Sequence, residues 1–276
     1  MLIAATPAPD TPSWLVWAGG VAVAASLVVA ARILIKLQDG GPVIEPEPRQ
    51  DVPWGGGDVL AVVGLSLVIA TVLGGLLGRD PPVDRSLSAA LALMSIAGMA
   101  AIGWLTWRGA TAADLGFVGG RAGSDLRLAS VGLALVLAPL LALAAALNQL
   151  VPYEHDVVEF LSLRRDPRAV GLVIATAVIA APLVEELFFR RILQGWLEKR
   201  MPERDGAMAI VISAAAFALA HQGQGLAYVP LFPLGLVLGF IARRTGSIVP
   251  CILLHALFNA VSVGLLLAVP PAAPAG

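Results

Sequence analysis

The chain has 276 residues, 58% hydrophobic and only 13% charged, with a mean hydropathy of +0.85. A soluble domain carries roughly 25% charged residues, so the composition excludes an ordinary soluble fold and indicates an integral membrane protein. The formal net charge of -1 provides no basic field for nucleic acid, and the single cysteine, Cys251, excludes an intramolecular disulfide or a thiolate zinc site.

The N-terminal MLIAATPAPDTPSW lacks the basic region of a secretory signal, so the apolar run at 14–37 reads as a retained first helix. Residues 38–58 combine Pro, Gly and charge and read as an exposed, mobile linker. Apolar segments follow at 57–78, 87–107, 125–151, 168–193, 206–222, 226–242 and 247–269. Their Ala, Val, Leu and Gly content suits packed helices better than barrel strands. The expected fold is therefore all-α: a polytopic membrane helix bundle of about eight transmembrane helices around a cavity-containing core. Thirteen Lys and Arg side chains fall at one set of helix ends, against five (Arg79, Arg85, Arg164, Arg165 and Arg168) at the other. By the positive-inside rule both termini are expected outside.

Three polar constellations interrupt the apolar sequence in its last 110 or so residues. A carboxylate at mid-bilayer costs at least a few kcal/mol, so acids there are functional candidates by default. In Glu185-Glu186-Leu-Phe-Phe-Arg190, Glu186 and Arg190 share a helix face and can pair, while Glu185 points about 100° away. Pro182 leaves a backbone carbonyl unpaired and implies a hydrated cavity beside Glu185. Phe217-Ala-Leu-Ala-His221 places a ring and an imidazole one turn apart, followed by helix-ending glycines. His255-Ala-Leu-Phe-Asn259 repeats the four-residue spacing, and Asn259 is expected to orient His255 or donate to a substrate. Each has a structural reading as well: an ion pair of Glu186 with Arg190 or Arg191 that fixes packing, satisfied core histidines, and Phe217 as packing against an imidazole. The third histidine, His155, reads as a solvated loop residue.

Glu-Glu-x-x-x-Arg, Phe-x-x-x-His and His-x-x-x-Asn, in that order on successive membrane helices, resemble the CPBP family of intramembrane proteases. That family includes the type II CAAX prenyl endopeptidases and bacterial relatives linked to bacteriocin self-immunity, known by the ABI name. The resemblance spans about residues 125–265. It implies a conical or cavity-containing catalytic core at 125–270, preceded by an N-terminal helix and linker at 1–58 and two additional helices at 59–124. It also implies that Glu185 activates water with help from His221, that His255 and Asn259 stabilise the oxyanion, and that Glu186 and Arg190 support them.

Two forms of the chemistry stay open. A zinc ion held by Glu185, His221 and His255 would lower the pKa of its water toward about 7. A metal-free Glu185 would act as general base, with donors around the oxyanion. HExxH is absent, no rhomboid-like Gly-x-Ser-Gly occurs, and Gly55-Gly-Gly-Asp58 reads as a helix N-cap rather than an aspartyl-protease motif.

The leading expectation is an intramembrane endopeptidase with its cavity open to the cytoplasm. It would sit in the bilayer of a bacterial inner membrane and act on a CAAX-like peptide, another bacterial peptide or a membrane protein. A transporter or proton relay, or a non-catalytic bacteriocin-immunity partner, would also use a polar bundle interior. One geometric condition follows. A helix starting near 206 puts His221 about 22 Å on, so it meets Glu185 only if the preceding helix runs on to about Arg200.

Overall fold

The computed structural model describes residues 13–47, 51–78, 82–153, 156–201 and 206–268. His155, with its expected solvated-loop role, lies outside the described residues. The described chain is all-helical: α1 (Ser13–Gln38), α2 (Gly56–Leu77), α3 (Val83–Trp107), α4 (Ala122–Asn148), α5 (Asp156–Leu163), α6 (Pro167–Arg200), α7 (Ala207–Leu219), α8 (Tyr228–Thr245) and α9 (Val249–Ala268). It forms the expected polytopic helical bundle, with a different count of spans. Among the described residues six helices, α1–α4, α6 and α9, are long and apolar enough to cross a membrane. The 13 residues of α7 rise about 20 Å, short of a hydrocarbon core of about 30 Å.

Local chemistry sets several boundaries. The Asp58 carboxylate reaches back to accept the Gly55 N–H at 3.0 Å, so this residue closes the first turn of α2 from within the helix. Asp166 caps α6 by accepting the Arg168 and Ala169 N–H groups, with Pro167 at the first helical position. The last turn of α8 ends at Gly246, whose φ of +64° favours glycine.

At 34 residues, α6 is the longest helix and the most enclosed: 39% of its apolar window is buried, against 6% for α1. It continues to Arg200, past the expected end at 193, and so meets the geometric condition set by the sequence. Glu185 stands fifteen residues before Arg200 and His221 fourteen after Ala207, about 22 and 21 Å at 1.5 Å per residue. The two side chains therefore reach the same depth.

Small residues bring the helices around α6 together. A Cβ at Gly98 of α3 would stand 2.9 Å from Val184 of α6, and one at Gly235 of α8 would stand 3.0 Å from Ala214 of α7. An apolar cluster of Leu234, Leu238, Leu254, Val136 and Leu140 joins α4, α8 and α9.

One expectation about the linker is overturned. Val52 and Trp54 are buried to 2% exposure, and Trp54 Nε1 donates to the Ile192 carbonyl of α6 at 3.2 Å. Lys199 Nζ holds the Val52 carbonyl at 3.0 Å. Composition read this segment as loop, but Val52 and Trp54 supply apolar area enough to dock it.

Candidate active site

Residues from α6, α9 and the turn after α7 converge at mid-length of α6. Two stretches of π-helix, Ile174–Ala180 and Glu186–Leu193, interrupt α6 on either side of Pro182 and Glu185. Such bulges are frequent at functional sites. Here their cause is visible: Ala181 donates to the Thr176 carbonyl, and Pro182 has no N–H, so neither serves the carbonyl of Ala177. Asn259 Nδ2 donates to it instead, at 2.8 Å. Asn259 thus repairs the proline break across the helix interface. It does not orient His255, as the shared helix face had led us to expect.

The orienting partner of His255 is Glu186. Its Oε1 accepts from His255 Nδ1 at 2.9 Å, and its Oε2 lies 3.0 Å from Arg190 Nε, with both acid and guanidinium fully buried. The expected i,i+4 pair is present and does a second job. Arg190 Nη1 donates to Ser213 Oγ at 3.2 Å, and Ser213 Oγ donates in turn to the Phe189 carbonyl.

His221 is fixed differently. Its Nδ1 stands 2.9 Å from the Phe217 carbonyl, which can only accept, so Nδ1 carries the proton. With both Nδ1 atoms committed, both Nε2 atoms turn to the same carboxylate. Glu185 Oε1 is 4.0 Å from His221 Nε2, and Glu185 Oε2 is 3.8 Å from His255 Nε2. These gaps exceed a direct hydrogen bond and match a bridging group. Glu185 keeps 17% of its side-chain surface and His221 19%, whereas Glu186 keeps none. The two adjacent acids are therefore unequal: one neutralised and enclosed, the other reachable.

Phe217 is the common wall. Its ring centroid lies 5.0 Å from His221, 5.6 Å from His255 and 5.5 Å from Phe189, edge-on in each case, and the Arg190 guanidinium lies 4.8 Å over it. Packing is what Phe217 does, and what it packs is both imidazoles.

The donor set of two imidazoles and a carboxylate is of a kind that zinc accepts. Yet among the described residues no group of three or more His, Cys, Asp or Glu side chains is placed to hold a metal ion.

Sequence reasoning missed Gln194 and Glu198, which extend the 186 and 190 spacing by two more turns. Gln194 Nε2 donates to Glu198 Oε1 and to the Gly239 carbonyl, both at 2.9 Å, and Glu198 pairs with Arg243 at 3.4 Å. The four-residue period was the available signal. Arg191, weighed as an alternative partner for the acids, turns away and donates to the Asp114 carbonyl.

No curated protein and no solved structure matches the chain. A family model does: residues 167–261, from the first turn of α6 to just past Asn259, match the type II CAAX prenyl endopeptidase Rce1-like model. All three motifs fall inside this stretch, about a third of the chain, and its similarity to that model is consistent with the CPBP family.

Proposed function

We propose that the protein is an intramembrane endopeptidase in which Glu185 is the general base for hydrolysis of a peptide bond. The observation that carries this reading is one carboxylate flanked by two imidazole Nε2 atoms, each imidazole locked through Nδ1. The Rce1-like match supports a CAAX-type endopeptidase.

Glu185 takes a proton from a water as its oxygen attacks the peptide carbonyl carbon. His221 Nε2 holds that water by accepting its second proton in a hydrogen bond. His255, when protonated, donates from Nε2 to the tetrahedral oxyanion, with Glu186 bonded to the opposite ring nitrogen. Asn259 acts first by holding α6 and α9 in register through Ala177. Collapse of the intermediate breaks the C–N bond, and Glu185 returns its proton to the leaving amine.

The test is cleavage of candidate peptides, prenylated and unprenylated, by purified protein in proteoliposomes. Glu185→Gln keeps the shape and removes the base, so kcat should fall by about 10²–10⁴ with little change in KM. Full activity in that variant would overturn the assignment. A chelator arm with zinc add-back asks whether Glu185, His221 and His255 close on a metal when substrate binds. Ion or proton flux without cleavage would favour the relay reading instead.

A further inference from the structure

A cavity of about 160 Å³ lies between α4, α5, α8 and α9 and is not lined by the candidate catalytic side chains. It lies one turn beyond them. On α9, Phe258 and Ser262 flank Asn259 by one and three residues and line the cavity. On the other side, Leu226 and Pro230 follow closely on His221 and line it too. The His221 turn is fastened to this cavity at Gly225, which has φ +60° and approaches so closely that a Cβ would stand 2.6 Å from the Pro152 carbonyl oxygen. Tyr153, the next residue after Pro152, is a lining residue.

We propose that this cavity is a recognition subsite for one large apolar side chain of the peptide substrate, next to the bond presented to Glu185. The inference rests on the endopeptidase reading. Its size is the first argument: an apolar cavity of about 150 Å³ holds one benzene, so this space takes one leucine- or phenylalanine-sized group. The lining is the second. Among the described residues its polar lining side chains are Asn148, Tyr153 and Ser262, and burial pushes the Tyr153 phenol up to about 12. A peptide brings amide groups that need such partners, whereas an acyl chain brings none. The third is its place in the fold: Phe258 and Ser262 flank Asn259 on α9, and Gly225 ties the His221 turn to Pro152 beside Tyr153, so the cavity is built on the elements that carry the candidate catalytic side chains.

The experiment compares peptides that differ only at one residue, Leu, Phe or Gly, scanned on each side of the cleaved bond. Wild type should prefer Leu or Phe to Gly at one position by about 10- to 100-fold in kcat/KM, the range that apolar pockets deliver. Ala144→Phe, which fills the cavity, should bring that ratio close to one. Leu141→Ala, which enlarges it, should move the preference toward Phe. A readout free of catalysis accompanies these assays: N-acetyl-phenylalaninamide should raise the Tm of wild type in nanodiscs, N-acetyl-glycinamide should not, and Ala144→Phe should abolish the effect. An unchanged ratio and an unchanged ligand shift in a folded Ala144→Phe variant would overturn the subsite, as would stabilisation by free fatty acid but not by the peptide amides. Ligand stabilisation in wild type without cleavage of any peptide would instead overturn the endopeptidase reading and leave the subsite standing.

Discussion

Glu186 and Arg190 illustrate why a buried ion pair is weak evidence for stability and good evidence for arrangement. Removing two charges from water costs several kcal/mol per ion, and close pairing recovers much of it. Breaking the pair from one side is the expensive event: Arg190→Met should lower stability by about 3–5 kcal/mol, read as a fall in the thermal unfolding midpoint. Adding Glu186→Leu removes the stranded charge, so the double variant should regain most of that midpoint. It should not regain cleavage, because His255 Nδ1 has then lost the oxygen that holds its ring at 2.9 Å. Recovery of both stability and activity would show that Glu186 serves Arg190 alone. In this way Glu186 is separated from Glu185, whose loss should leave stability nearly untouched.

At the scale of elements, α6 works because its defects are matched by α9. A buried carbonyl without a donor costs about 1–3 kcal/mol, so Asn259→Leu should destabilise the bundle by that amount through the Ala177 carbonyl. Pro182→Ala restores an N–H at the break. In a double-mutant cycle it should therefore reduce the effect of Asn259→Leu, while independent effects would simply add. This coupling also explains what was legible in the sequence. Glu186 with Arg190 and Phe217 with His221 are four-residue contacts on one helix face, so spacing alone announced them. Asn259 reaches Ala177 across 82 positions, and Trp54 reaches Ile192 across 138. No periodicity encodes such pairs, and local reasoning therefore gave Asn259 to the nearest histidine and the Trp54 segment to solvent. The convergence of Glu185 with both imidazoles was implied by the resemblance, but from the residues alone it depended on whether α6 ended at 193 or at Arg200. The π-helical stretches were hidden for a related reason: Pro182 announces a break, but the register that the chain adopts around it is chosen by what α9 offers in return.

At the scale of the whole molecule, α6 measures about 51 Å by its 34 residues, well beyond a hydrocarbon core of about 30 Å. Its surplus length must emerge, and the end that carries Lys199 and Arg200 is the one favoured to do so by its charge. The same end of the bundle gathers Arg108, Arg121, Arg243 and Arg244, while Arg164 and Arg165 lie at the opposite end beside α5. Placing the basic end in the cytoplasm puts the Ser13 end of α1 and the Ala268 end of α9 outside. The protein offers a clean way to test this, since its only cysteine, Cys251, is fully buried and should be silent to membrane-impermeant thiol reagents. Ser162→Cys in α5 and Gly119→Cys in the loop before α4 are each exposed single reporters at opposite ends. In intact cells the first should label at once and the second only after permeabilisation. The reverse pattern would invert the bundle and carry the Glu198–Arg243 end to the outside.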